Sequence, residues 1–251
     1  MKRLYLNIAG FTVILLAGAF FILFYDNEPE VIKGDIPPAQ TYNTPEPSAS
    51  SSPSIIHNSP FIIQNSTNLA VPFTPQAPHG NWEDPYGEFC EEASTLMAAA
   101  YIKGFDIPSP DFADQKLNEI KDFETKKFGY HLDTTVAETA VILEEFFGID
   151  KVQILNNPTQ DDIIWALSEK RVVIIPAAGR QLGNPYYTAP GPLYHMLVIK
   201  GFTKEGNFIT NDPGTRRGAD FIYTPGVIMN AIHDWNGGDV ENGKKAIIIV
   251  G

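Results

Sequence analysis

The chain has 251 residues, with 18 Lys and Arg against 30 Asp and Glu, a formal net charge of −12 and 43% hydrophobic residues. That acidity excludes the basic footprint of a nucleic-acid-binding protein. A single cysteine, Cys90, excludes an internal disulfide and leaves the thiol for packing, an intermolecular bridge or chemistry.

Lys2 and Arg3 precede an uncharged apolar run from Ile8 to Tyr25, IAGFTVILLAGAFFILFY, and Asp26, Glu28 and Glu30 follow it. Eighteen helical residues at about 1.5 Å each span roughly 27 Å, near the thickness of a bilayer core. The basic flank predicts that the chain continues on the extracytoplasmic side. Ala17-Gly18-Ala19 resembles a signal-peptidase site, but the apolar run continues beyond it through Leu23. Residues 1–26 are therefore expected to be an uncleaved membrane anchor. Residues 27–67, rich in Pro, Ser, Thr and Asn, are expected to form a flexible tether, because they bury too little apolar surface to offset their ordering entropy. Residues 68–251 form the folded domain, long enough for one buried core.

In VPFTPQAPHGNWEDPYGEFCEEASTLMAAAYIKG, residues 71–104, a loop rich in Pro and Gly gives way to a helix. Phe89, Ala93, Leu96, Met97, Ala100 and Tyr101 recur at helical spacing, and Gly104 supplies the stop. Ser109-Pro110 opens a second helix to about Lys127. Asp133-Thr134-Thr135 ahead of Glu138 resembles a capping box for a third, which stops at Gly148. Val152 to Leu155 reads as a short strand, and Asn157-Pro158 as the start of a helix to Lys170 with Pro at its first position. The remainder reads as strands: Arg171 to Ala177, Tyr194 to Thr203, Asn207 to Asp212, Asp220 to Tyr223 and Lys244 to Val250. Helices first and a mostly antiparallel sheet second is the α+β class, with a cleft expected between the halves. The loop GRQLGNPYYTAPGP, residues 179–192, is long and aromatic enough to line it.

Cys90 falls in the first turn of its helix, where free N–H groups and the helix dipole lower a thiol's pKa from about 8.5. Glu88, Glu91 and Glu92 work against this, so the thiolate needs a cationic partner. His195, at the start of the strand YHMLVIKGF, is the first candidate. If the Thr203–Gly206 connection has an even loop, Leu197 faces Asp212 and His195 shares that face, so that Asp212 can orient the imidazole. An odd loop would put Asn211 there instead, a neutral amide able to do the same job. Gln76, fourteen residues before the cysteine, can donate to an oxyanion beside the Cys90 backbone N–H, although loop glutamines are usually solvated. His79, in the same loop, is a candidate substrate contact. His57 lies in the tether, His131 precedes a helix, and His233 fits a capping role beside Asp234. The histidines show no metal-ligand spacing.

Taken together, VPFTPQAP, CEEASTLMAA, YHMLVIKGF and GNFITNDPGT resemble the C39-like peptidase group of the papain-like clan, particularly its stand-alone bacterial members. The resemblance covers most of residues 68–251. It implies a papain-like cysteine-hydrolase fold, Cys90 as nucleophile, His195 as general base and then acid, Asp212 as orienting residue and Gln76 as oxyanion donor, with no metal or cofactor. Transporter-linked members trim double-glycine leaders on the cytoplasmic side and usually carry Gly-Pro after the cysteine. Here Glu91-Glu92 follows it and the expected side of the membrane is the opposite one, so that substrate is not carried over. The expected partners are a peptide or protein substrate, wall peptide among them, and the membrane through the N-terminal helix. The alternatives are a non-catalytic peptide- or wall-binding module and a thiol acyltransferase.

Overall fold

The computed structural model describes residues 31–42 and 66–251. The expected anchor, residues 1–26, and residues 27–30 and 43–65 of the expected tether lie outside the described residues. Among the described residues no helix is long and apolar enough to cross a membrane.

Helix α1, Cys90–Lys103, begins after Phe89, which supplies no side-chain cap, and ends on Gly104 in the left-handed region at φ 69°. Every residue from Cys90 to Tyr101 is buried. The expected one-sided stripe is thus a helix enclosed on all faces, and Glu91 and Glu92 are drawn inside with it. Ser109 caps α2, Pro110–Phe128, by accepting the Phe112 N–H. Thr135 and Glu138 form the anticipated reciprocal cap of α3, Val136–Val141, which runs on through a wider turn at Ile142–Phe146. For α4, Gln160–Ser168, the cap is Thr159 with Asp162, so Pro158 precedes the cap instead of occupying the first helical position. Thr224 caps the short α5, Pro225–Ala231.

Among the described residues seven strands form one antiparallel sheet: β1 Thr67–Asn68, β2 Val152–Asn156, β3 Val172–Ala178, β4 Tyr194–Phe202, β5 Phe208–Asn211, β6 Phe221–Tyr223 and β7 Ala246–Val250. Their order is β2-β7-β3-β4-β5-β6, with β1 beside the end of β4. β3, β4 and β7 are buried along their whole length, as continuous apolar runs such as VVIIPAA and AIIIV require. α1 packs across β4 and β3. The result is α+β and papain-like: a leading helix with the cysteine in its first turn, laid on an antiparallel sheet that carries the histidine.

Residues 31–42, inside the stretch expected to be tether, extend along β1. Gln40 bridges to Leu69, its N–H donating to Asn68 O at 2.8 Å while its carbonyl accepts the Ala70 N–H at 2.7 Å. Asn68 Nδ2 donates to Pro37 O, and Tyr42 sets its ring edge-on to Tyr101.

The β4–β5 hairpin reaches the useful register by a different route from the even loop. Thr203 N–H donates to Asn207 O across Lys204, Glu205 and Gly206, an odd loop with Gly206 left-handed at φ 84°. Near the turn Phe202 pairs with Phe208 and Gly201 with Ile209; beyond a bulge the pairs are Ile199 with Thr210 and Val198 with Asn211. The one-residue shift restores the face that the odd loop would have lost, and continuing it brings Leu197 opposite Asp212. Gly201, at the bulge, also sits against β1: a Cβ there would lie 2.1 Å from Thr67 O. Gly201→Ala is expected to lower the unfolding free energy by about 1–3 kcal/mol, as overpacking does. Urea unfolding checks this, and a variant as stable as the wild type would show that β1 yields freely.

Candidate active site

Cys90 is 6% exposed and its Sγ donates to Glu91 Oε2 at 2.9 Å. Burial, then the Glu91 and Glu92 charges, push the thiol well above its ordinary value; the backbone N–H of Met196 on β4, beside His195, works the other way. The lowering expected from the helix start is therefore overridden in this conformation. The acidic setting is milder than its formal charge. Burial first, then the neighbouring carboxyls, hold Glu91 and Glu92 well above the usual carboxylate range, and burial takes Glu124 of α2 to about 8. Glu124 also raises Glu92 through its charge, and all four oxygens of these two carboxyls are buried without a hydrogen-bond partner among the described residues. Carboxyls shifted in this direction carry less negative charge and repel a thiolate less than their formal charge implies.

His195, 1% exposed, stands on β4 opposite Ala177 of β3. Its Nε2 lies 2.8 Å from Asp212 Oδ1. An ionised carboxylate only accepts, so the proton is on Nε2 and Nδ1 is left as the free ring nitrogen. Asp212 is fully buried and receives four further donors: Gly214 N–H at 3.0 Å on Oδ1, and Tyr187 OH at 2.7 Å, Tyr223 OH at 2.6 Å and Asn184 Nδ2 at 2.9 Å on Oδ2. Burial alone would raise its pKa; His195, through charge and hydrogen bond, and the two tyrosines outweigh it and hold the carboxyl at about 2. Burial and the Asp212 charge push both phenols well above their usual range, which keeps them donors.

The imidazole is also fixed by contact. Tyr187 meets it edge-on at 5.5 Å between ring centroids, and a Cβ at Gly214 would come within 2.9 Å of its Cε1. Asn211 points elsewhere: its Nδ2 donates to Val71 O and Pro72 O and its Oδ1 accepts the Asp220 N–H. Asp212, not Asn211, is the histidine's partner.

Cys90, His195 and Gln76 line one cleft of about 660 Å³, with Tyr186, Tyr187 and Trp82 on its walls. Gln76 is tied down on its backbone by Pro213 O at 3.0 Å. Its two amide hydrogens go to Tyr86 O at 3.0 Å and Gly87 O at 2.7 Å, while Oε1 is buried without a partner. The expected oxyanion donor is thus in the cleft but committed, and serving an oxyanion requires it to leave one of those carbonyls. His79 is not part of the lining; its Nε2 is 3.2 Å from Asp111 Oδ1 on the surface. His131 sets its ring on Phe89, and His233 donates through Nδ1 to Gly243 O. His57 lies outside the described residues. Asn184, Tyr187 and Tyr223 escaped the sequence-based account because their role appears only once three separate segments meet at one carboxylate. Among the described residues no group of three His, Cys, Asp or Glu side chains is arranged to hold a metal.

The family model described as "Peptidase_C39 like family" matches residues 68–236, a span that includes Gln76, Cys90, His195 and Asp212. No curated protein matches the chain. Among solved structures, a crystal structure of a presumed C39-like peptidase from Bacillus anthracis is similar, at 15% identity and a TM-score of 0.42, over 74% of this chain and 98% of that one.

Because Asp212 titrates lower folded than unfolded, its contribution to stability is complete above about pH 4 and is lost as pH falls toward 2. A shift of this size corresponds to about 2 kcal/mol. Between pH 5 and pH 2 the wild type is expected to lose that much more unfolding free energy than Asp212→Asn. Parallel losses in chemical denaturation would contradict the assignment.

Proposed function

Since the chain belongs to the Peptidase_C39 like family, we propose that it is a cysteine peptidase that cleaves an amide bond through an acyl-enzyme on Cys90. One observation carries this reading: His195, paired with the buried Asp212 and with Nδ1 unpaired among the described residues, lines the same cleft as the single cysteine. The Cys90 thiol leaves Glu91 and passes its proton to His195 Nδ1. The thiolate attacks the scissile carbonyl carbon, and the resulting oxyanion takes hydrogen bonds from the Cys90 backbone N–H and from Gln76 Nε2 once that amide is released. The imidazolium, held by Asp212, protonates the departing amine as the C–N bond breaks. A water then gives its proton to His195 and attacks the thioester, which yields the free acid and regenerates the thiol. Asp212 stays ionised throughout.

The same reading places the domain outside the cytoplasmic membrane, on a single-pass anchor over residues 1–26. Support comes from the basic Lys2-Arg3 flank, the apolar run Ile8 to Tyr25 and the Pro- and Ser-rich stretch that follows. A substrate within reach of such an enzyme is a peptide or protein, wall peptide among them.

Two contacts favour an opposing reading, a binding module that keeps the cleft: the thiol donated to Glu91 and the Gln76 amide spent on backbone carbonyls. A peptidyl vinyl sulfone, which engages the thiol only from a substrate pose, separates the two. A peptidase forms the Cys90 adduct at neutral pH, His195→Ala slows it at least about 100-fold, and Glu91→Gln, which removes the carboxyl that accepts the thiol proton, speeds it several-fold. A binding module gives no adduct, or one indifferent to His195. Amide products that appear only with an added amine would instead mark acyl transfer.

A further inference from the structure

The cleft is not uniformly charged. Arg216 and Arg217, on the loop that leaves Asp212, line one part of it; its two lining carboxylates, Glu88 and Asp133, belong with the start of α1. Glu88 raises the pKa of Asp133, second to burial, so these two are close to each other. In a chain of net charge −12, neither arginine forms an ion pair among the described residues. Both are nevertheless positioned. The Arg217 guanidinium lies 4.8 Å from the ring centroid of Tyr186, and a Cβ built on Gly80 would come within 3.2 Å of Arg216 Nη1. The Arg216 side chain therefore reaches from the Asp212 loop to the loop that carries Gln76. A guanidinium held this way presents a planar fork of donors suited to a carboxylate.

Reaction chemistry fixes which part of a peptide meets these groups. The scissile carbonyl oxygen turns toward Gln76 and the Cys90 N–H, and the leaving nitrogen must face the imidazole that protonates it. The chain beyond that nitrogen runs past the imidazole, and Gly214, two residues before Arg216, is the group packed on that ring. The arginines therefore flank the departing half of the substrate.

We propose that Arg216 and Arg217 form a carboxylate subsite that selects peptides bearing an acidic side chain or a free C-terminus shortly after the scissile bond. The assignment to the departing half rests on the peptidase reading; the carboxylate site itself does not. Glu88 and Asp133, at the cysteine's end of the cleft, disfavour an anion there and add to the selection.

Fluorescein-labelled hexapeptide pools with Glu, Gln or Lys at a fixed position, each with a free or an amidated C-terminus, test this by anisotropy with the full-length Cys90→Ala protein. Pools with a free C-terminus or Glu are expected to bind at least about 10-fold tighter than amidated Gln pools, and the advantage is expected to shrink with salt because both arginines are exposed. Comparing amidated Glu with free-acid Gln tells which carboxylate is preferred. Arg216→Ala/Arg217→Ala is expected to level the pools, and Arg216→Glu/Arg217→Glu to turn the preference toward Lys. Equal binding of all pools by the Arg-containing protein, or a preference that survives the double alanine variant, overturns the subsite. Cleavage by the Cys-containing protein is scored separately by mass spectrometry. Selective binding without any cleavage overturns the peptidase reading and upholds the subsite, and a selected Glu side chain recovered on the acyl side of the cleaved bond overturns its assignment to the departing half.

Discussion

A carboxylate removed from water must be surrounded by donors, and the structure around Asp212 follows from that requirement. Five converge on it: the His195 ring, the Gly214 N–H, the Tyr187 and Tyr223 hydroxyls and the Asn184 amide. They come from β4, the turn after β5, the loop between β3 and β4, and β6. The Asp212 N–H is itself used by Gly218 O at 2.9 Å. An unpaired buried charge costs several kcal/mol, so the donors have to arrive together. Satisfying the carboxylate and aiming the imidazole are the same structural act: with Nε2 taken, the ring has one nitrogen left for the cleft.

The cysteine side is organised by the opposite condition. α1 is enclosed on every face, so the carboxyls that follow Cys90 enter the interior without cations. Burial holds both well above the usual carboxylate range; Glu91 accepts from the thiol, and the Glu92 oxygens have no partner among the described residues. On the proposed reading, the resting site thus holds a primed base and a masked nucleophile. Gln76 fits the same pattern, with both amide hydrogens on Tyr86 and Gly87 carbonyls. A substrate that lifts the thiol from Glu91 and draws the Gln76 amide toward its carbonyl oxygen makes the interactions the reaction needs, and these are absent before it binds.

Local rules read from the sequence succeed where local chemistry decides. The Cys90 helix stops at Gly104, Ser109 and Thr135 act as caps, and every strand of the second half forms to within two residues of its expected ends. They fail where a distant partner decides. A helical stripe at Phe89, Ala93, Leu96 and Met97 cannot reveal that the rest of α1 is buried as well, because that depends on α2 and the sheet. The His195–Asp212 pairing was legible, but its assumed cause was not: a three-residue loop and a bulge near Gly201 cancel, and only β1, pressed against that glycine, explains why the bulge is there. Tyr187, Tyr223 and Asn184 look like ordinary loop and strand residues until one buried charge claims all three. Arg216 and Arg217 look like a charged turn until the fold closes the cleft beside them.

The proposed chemistry depends most directly on the proton of one ring nitrogen. In the protein labelled with 15N-histidine, with His195 assigned by loss of its signals in His195→Ala, the neutral form of the imidazole is expected to carry its proton on Nε2. That proton should be strongly hydrogen-bonded and protected from exchange with water, and Nδ1 should be bare. The neutral tautomer with its proton on Nδ1 and Nε2 bare, or a ring that exchanges freely with solvent, would contradict it, since the nitrogen facing the cleft would then be unable to take the thiol's proton.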